Sequence, residues 1–309
     1  MYWLKENAEF LSVCVATGTP LADPEVYAAI YADLPRRMAF FPQYYRFWLS
    51  ICLDLEALGL PGDQSGAMAQ RVQRSDLVAA ELSDLQRGEA AWLLSRRGIT
   101  LPDPGLEDRL RAFAARPATF GLPNRKAAYE LTHIVFYLSA YGRRDPHLTR
   151  GALRSLDFAG LQAFLAQDID LLAEICVALR FAGQTPSPIW EGAVLEGLRA
   201  VRIVPGAGAE DDYHLYLMCQ WLACAAAPDL RAAPLPDAPF AFAAPQPRPS
   251  ALRDLSRALM DMEGRSADWD RMRPRVLPHL RQPDVLAEAE ASSPHFAPFF
   301  EVFARAALH

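Results

Sequence analysis

The residues best equipped for chemistry stand at the openings of apolar helical stretches. Glu210 to Trp221 (EDDYHLYLMCQW) places three acids and a histidine ahead of an apolar run. Asp211 and His214 are three apart there, so on a helix they share a face. Tyr129 to Leu138 (YELTHIVFYL) repeats the device with Glu130 and His133. Between the two stretches, Asp170 and Glu174 stand four apart, again on one face. Acids and imidazoles gathered in one place can hold a divalent metal. They can also move protons, because a carboxyl in an apolar cavity has a raised pKa suited to transfer near neutrality.

Three separate helices must bring these groups together, and their spacing indicates how. Glu130 and Asp170 are 40 positions apart, and Asp170 and Asp211 are 41 apart. Pro146 and Pro186, each reached through a glycine after a helical stretch, are 40 apart. A recurrence near 40 residues is the mark of stacked helical hairpins. Polar groups at one level of successive inner helices would then converge. The fold expected is all-α, an α/α toroid or a curved array of helical hairpins.

The chain is 309 residues long, 51% of them hydrophobic, which is ample for a buried core. Thirty-one basic against 37 acidic residues give a net charge of −6, and no basic stripe with interleaved aromatics occurs, which argues against a nucleic-acid partner. The pairs Arg36-Arg37, Arg96-Arg97 and Arg143-Arg144 fall at expected helix ends, where positive charge complements the helix dipole. No apolar run is long and uncharged enough to span a membrane. Lys5, Glu6 and Glu9 argue against a signal peptide. The five cysteines are widely spaced within apolar helical patterns, which predicts buried thiols of a cytoplasmic protein.

In chain order, helices are expected over 2–15, from Pro24, and over 43–58, the last ended by Gly59 and Pro61-Gly62. Residues 61–74 read as loop. Ser75-Asp76 is expected to cap a helix from Leu77 that Gly88 divides, followed by a short helix over 106–115 and a loop over 117–123. Asn124 would cap the helix of His133. Thr149–Ser155 and Phe158–Leu165, the second capped by Asp157, lead to the helix of Asp170. Trp190–Val201 is the next outer helix, and a turn through Gly206 and Gly208 precedes Glu210. No strand is expected, since Val201–Val204 is too short. Residues 1–225 would form the helical-hairpin domain and 226–250 an Ala/Pro-rich connector, favoured as a strap anchored by Phe240 and Phe242. Residues 251–309 would supply C-terminal helices packing on the same domain.

The stretch Asp211 to Leu222 resembles part of the β subunits of protein prenyltransferases, whose α/α toroid is shared by terpene cyclases and lanthionine cyclases. There an acid, an aromatic residue and a zinc-binding histidine open an inner helix. The resemblance implies that His214 is a zinc ligand at the wide end of a barrel. It departs from the family at Asp168-Ile-Asp170, which has no cysteine two residues from the acid, and Gln220-Trp221 is an isolated pair. Glu130-Leu-Thr-His133 also matches the Glu-x-x-His half-site of di-iron bundles.

Two functions are therefore expected in competition. The first is an enzyme, a metal-dependent transferase, cyclase or hydrolase acting on a small molecule or peptide. His133, Asp170 and His214 would hold zinc, or else iron or manganese, and Glu130, Glu174 and Asp211 would be catalytic. The second is a non-catalytic helical-repeat protein that binds a protein or peptide partner along a concave face, with its acids and histidines dispersed. Tyr137, Tyr141 and Trp221 fit core packing better than an aromatic pocket. His147, His279 and His295 are given no role.

Overall fold

The computed structural model describes residues 2–206, 211–227, 235–236, 238–246 and 248–305. Over these residues the chain is helical apart from one two-stranded antiparallel ladder. It divides into two compact units, residues 1–110 with 136–144, and residues 111–135 with 145–309. Within the Ala/Pro-rich stretch, residues 240–243 pair as a strand inside the second unit. Among the described residues no helix is long and apolar enough to cross a membrane.

Five helices, α1 (Tyr2–Thr17), α2 (Ala28–Phe40), α3 (Tyr45–Ala57), α4 (Gln64–Arg74) and α5 (Asp84–Ser95), make up most of the first unit. The axis is α3, buried at every position from Trp48 to Leu55, as a helix apolar on all sides must be. It also carries two acids. Asp54 accepts the Ser12 and Ser50 hydroxyls at 2.9 and 3.2 Å and the Arg96 guanidinium at 2.6 Å. Glu56 accepts the Tyr31 hydroxyl at 2.7 Å and pairs with Arg97. Arg96 and Arg97 therefore serve as counter-ions to inward-facing acids, a role beyond complementing a helix end.

Residues 64–74, expected as loop, form α4. The polar cluster Asp63 to Gly66 hides this because Asp63 makes no side-chain cap. The distant Glu56 supplies the missing acceptor to the Ser65 N–H at 2.9 Å, and Met68, Ala69 and Val72 bury one face. The helix expected from Leu77 is only a 3₁₀ turn, since Asp76 lies in left-handed conformation with φ 48°. The α5 helix instead starts after Ser83, whose hydroxyl accepts from Gln86 N–H, and it runs unbroken through Gly88.

The chain continues through α6 (Leu106–Ala114), a single turn α7 (Pro117–Phe120) where loop was expected, and α8 (Arg125–Leu138). Asn124 caps α8 as predicted, accepting from Ala127 N–H at 3.1 Å. In the second unit follow α9 (Arg150–Ala166), α10 (Ile169–Phe181), α11 (Pro188–Ala200), strand β1 (Arg202–Pro205), α12 (Tyr213–Ala226) and strand β2 (Phe240–Ala243). Four more helices complete it, α13 (Ala251–Asp261), α14 (Trp269–Val276), α15 (Pro283–Ser292) and α16 (Phe296–Phe303). The two helices expected over 149–165 are one. Thr149 caps α9, and Asp157 in its middle pairs sideways with His295 and Ser293.

The α10 helix is the axis of this unit, buried from Leu171 to Leu179 and packed along α9, α11 and α12. Two glycines seat α11 against its neighbours. A Cβ on Gly160 of α9 would lie 2.5 Å from the Trp190 ring, and one on Gly197 would lie 2.7 Å from Ile169 Cγ2. The unexpected strand β1 pairs with β2, Val204 opposite Ala241. The partner lies across a long sequence gap, so no local pattern announces it. The described part of the Ala/Pro-rich stretch thus lies as a strap, with Phe242 stacked 4.3 Å from Tyr216. Ala207, Gly208 and Glu210 of the expected turn and helix opening, and the last residues of the expected C-terminal helices, 306–309, fall outside the described residues.

Gly160→Ala tests this seating. A methyl group would gain about 1 kcal/mol of intrinsic helix propensity but overpack against Trp190 at a cost of about 1–3 kcal/mol. Denaturant unfolding is expected to show a net loss of stability. A gain would mean that α11 does not depend on this close approach.

Candidate functional site

Four of the six residues expected to do chemistry meet on α8, α10 and α12 within the second unit. Asp170 and Glu174, one turn apart on α10, face the histidines of the two other helices. His214 Nδ1 lies 2.8 Å from Asp170 Oδ1, and His214 Nε2 lies 3.9 Å from Glu174 Oε1. His133 Nδ1 approaches Glu174 Oε2 at 3.8 Å. Both imidazoles thus address one carboxyl. Glu174 is 2% exposed, whereas the side chains of His133 and His214 are 36% and 23% exposed. The acid lies beneath two histidines that reach solvent.

The local sequence explains how each group is held. Asp168 caps α10, its carboxylate accepting the Leu171 N–H, so Asp170 falls in the first turn and Glu174 one turn deeper. On α8, Arg125, Tyr129, Thr132 and His133 form one helical stripe. The Tyr129 hydroxyl donates to Asp170 Oδ2 at 2.8 Å, and the Tyr129 carbonyl accepts from His133 Nδ1 at 2.8 Å. One residue therefore orients both imidazoles, His133 directly and His214 through Asp170. Thr132 Oγ1 lies 2.6 Å from Glu174 Oε2 and 2.8 Å from the Tyr129 carbonyl. A hydroxyl has a single proton. Thr132 shares that proton between the two acceptors, donating to the Tyr129 carbonyl and to Glu174 Oε2.

Electrostatics separate the two acids. Burial pushes the Glu174 carboxyl above its ordinary value, and the negative charge of Asp170 adds to the rise. The charge of His133, the Thr132 hydrogen bond and the charge of His214 oppose it without cancelling it. Burial also acts to raise Asp170, but there the His214 hydrogen bond and charge, the Tyr129 hydroxyl and the Arg125 charge prevail. They hold Asp170 below the usual carboxylate range. Burial, Asp170 and Asp168 raise the Tyr129 phenol, which keeps it a donor.

Two expected site residues lie elsewhere. Glu130 points away and pairs with Lys126 at 3.7 Å, because the residue sharing the inward face with His133 is Tyr129, four positions back. Asp211 accepts the N–H groups of Tyr213 at 3.2 Å and Phe242 at 3.1 Å, so it ties the strap to the start of α12. The set expected to hold a metal, His133, Asp170 and His214, does not form a cage. Asp170 spends its two oxygens on His214 and Tyr129, and His133 Nδ1 turns to a carbonyl. Among the described residues no three histidine, cysteine, aspartate or glutamate side chains are grouped to hold a metal ion. Tyr129, Thr132 and Arg125 were missed as participants. The i, i+4, i+7, i+8 stripe they share with His133 was the available signal. The buried-thiol expectation holds for four cysteines, while Cys224 is exposed.

Glu174→Gln gives a direct test of the buried acid. A carboxyl whose pKa is raised by folding contributes stability that is full below its ordinary value of 4.5 and is lost as pH rises toward the raised folded value. Relative to the glutamine variant, the wild type should lose up to about 1.4 kcal/mol per pH unit through that window. Denaturant unfolding of both proteins from pH 4 upward measures it. A difference that stays constant with pH would show that Glu174 ionises normally.

Comparison with curated proteins and with solved structures yields no match. A family model described as Domain of unknown function (DUF6902) matches residues 1–306. The match runs through both compact units and all the site residues, and the chain belongs to that family.

Proposed function

We propose that the protein is an enzyme that works by proton transfer, with His214 as general base, Glu174 as general acid and Asp170 as the group that orients His214. The observation that carries this reading is the divergence of two carboxyls one turn apart on α10. One is held ionised against an imidazole, and the other is pushed toward its protonated form beneath two imidazoles. Environments that drive neighbouring acids apart are how one fold keeps an acid and a base available at the same pH.

The chemistry follows from the hydrogen bonds. With Asp170 accepting from Nδ1–H, the neutral His214 ring carries its lone pair on Nε2. That nitrogen takes a proton from substrate, and Asp170 stabilises the imidazolium that results. Glu174 lies 3.9 Å from the same nitrogen, an approach that closes to hydrogen-bond length with a small side-chain movement. It returns a proton on the leaving or rearranging side. The proton that His214 took onto Nε2 then passes to Glu174 across the same gap, which restores both groups. This is the proton traffic of a hydrolase or cyclase acting on a small molecule or peptide. Convergence of the four side chains favours this reading over a helical-repeat binder, which calls for dispersed groups. Side chains at one level of α8, α10 and α12 also fit a curved array of hairpins with a repeat near 40 residues.

Long-range proton–nitrogen NMR of the imidazoles tests the central claim. His214 should show the Nδ1–H tautomer in the wild type and a mixture in Asp170→Asn. An Nε2–H tautomer in the wild type would remove the proposed base. Incubation with a small-molecule extract, followed by mass spectrometry, should reveal a compound consumed by the wild type. Its turnover should fall about 10²–10⁴-fold in His214→Gln.

A further inference from the structure

The base of the proposed centre stands where a helix is weakest. His214 is the second residue of α12, in the turn whose backbone N–H groups have no partner within the helix. Such a turn is ordinarily held by its own capping side chain. Asp212 occupies the capping position but makes no side-chain bond to α12. Its carboxylate reaches instead to the Ala244 N–H at 2.7 Å, and its N–H donates to the Phe242 carbonyl at 3.0 Å. The neighbouring Asp211 divides its oxygens between the Tyr213 N–H and the Phe242 N–H. Four residues after Asp212, the Tyr216 ring stacks on Phe242 with centroids 4.3 Å apart and planes at 16°. The turn carrying the base is thus fastened to the strap, where most helices are fastened to themselves.

The strap is itself lightly anchored. Its ladder with β1 runs only from Arg202 opposite Ala243 to Pro205 opposite Phe240. Pro205 and the adjoining Pro239 lack the N–H groups that a longer ladder needs. Of the paired residues only Ala241 is buried. A two-stranded ladder of this kind is marginally stable by itself, and an element with few buried apolar contacts opens at lower free energy than the core. The α10 helix is the opposite case, buried from Leu171 to Leu179. The 2.8 Å contact between Asp170 and His214 therefore joins a rigid helix to a turn whose footing can open.

We infer that the strap is a conformational switch on the acid–base centre. Docked, it holds the first turn of α12 so that His214 meets Asp170. Released, it lets that turn fray, and the imidazole parts from the carboxylate. Asp212 and Phe242 are then positioning residues that act on the base through the turn. The role of His214 rests on the proton-transfer reading, whereas the coupling of strap to turn is structural and is measured separately. Linkage makes the coupling run both ways, so whatever holds His214 to Asp170 also holds the strap down.

Amide hydrogen exchange followed by NMR, read together with the His214 tautomer, tests this. In the wild type the Phe242 and Ala244 amides should exchange at least about 100-fold faster than those of Leu172 to Ala178 on α10. Phe242→Ala should speed exchange at positions 242 and 244, and with them at Tyr213 and His214, by about 5- to 150-fold. It should also move His214 from the Nδ1–H tautomer toward a mixture while the α10 amides stay protected. Asp170→Asn should speed exchange at Phe242 and Ala244 by a similar factor. A cysteine pair at the opposed positions, Val204→Cys with Ala241→Cys in a Cys224→Ser background, serves if Phe242→Ala fails to fold. Its oxidised form should slow exchange at Phe242, Ala244, Tyr213 and His214, and reduction should restore it. Strap amides as slow as those of α10 would show that the strap does not open by itself. Faster strap exchange with the Tyr213 and His214 amides unmoved, or a disulfide that leaves those two amides unchanged, would overturn the coupling. A wild-type Nε2–H tautomer would remove the base, and the Tyr213 and His214 amides would still report whether the strap holds the turn.

Discussion

The second unit is organised around the cost of burying one carboxyl. Glu174 sits in the middle of the axial helix α10 with 2% of its surface exposed, and an isolated ionised carboxylate there would be untenable. The chain meets this constraint from three directions. The Thr132 hydroxyl of α8 donates to it, His133 of α8 covers one oxygen, and His214 of α12 covers the other. Each partner belongs to a helix that must be set at the correct height on α10. The positions of α8 and α12 are therefore tied to the protonation of a single group.

The supports of this arrangement lie outside the site. The α12 helix is set by its packing on α10 and α11 and by the strap, whose backbone is gripped by the α12 mouth. Asp211 accepts from Phe242 N–H, and Asp212 accepts from Ala244 N–H at 2.7 Å while its own N–H donates to the Phe242 carbonyl at 3.0 Å. Stacking of Phe242 on Tyr216 closes the contact. His214 follows these acids directly, so the strap fixes the first turn from which the base projects. The α11 helix, seated by Gly160 and Gly197, backs both α10 and α12. Precision at the imidazoles is thus built from close backbone approaches and a short ladder well removed from any titrating group.

Much of this was legible in the sequence, and the failures have a common cause. The polar openings of the helices carrying His133, Asp170 and His214 were the visible signal, and those three side chains do meet around Glu174. Pairing each histidine with an acid three residues away misplaced Glu130, since a face of α8 is defined equally by i+4, where Tyr129 stands. Asp211 was read as part of the cavity because the strand that claims it is thirty residues distant in sequence. The loop expected over residues 61–74 gives way to α4 for the same reason, since its N-terminal partner is Glu56 on another helix. In each case a polar group was satisfied from far along the chain. Local pattern shows that such a group needs a partner but does not show which one it finds.

The choice of partner also separates structural acids from functional ones. The first unit buries acids on its own axial helix, α3, and gives each an arginine, Arg96 for Asp54 and Arg97 for Glu56. A guanidinium is charged at every accessible pH. Around Glu56, burial acts to raise the carboxyl, and the Ser65 and Tyr31 hydrogen bonds with the Arg97 charge more than offset it. Glu56 is held below its ordinary range and is locked as an anion. Glu174, on the axial helix of the second unit, is as buried as Asp54 and deeper than Glu56 but has no arginine. Its neighbours are two imidazoles, the side chains whose charge changes near neutrality, and a hydroxyl that can give or take a hydrogen bond. If the need were only to stabilise a buried acid, the solution used at Asp54 and Glu56 would serve. Surrounding Glu174 with partners that can themselves change protonation keeps its proton exchangeable, and an exchangeable buried proton is what an acid–base centre requires.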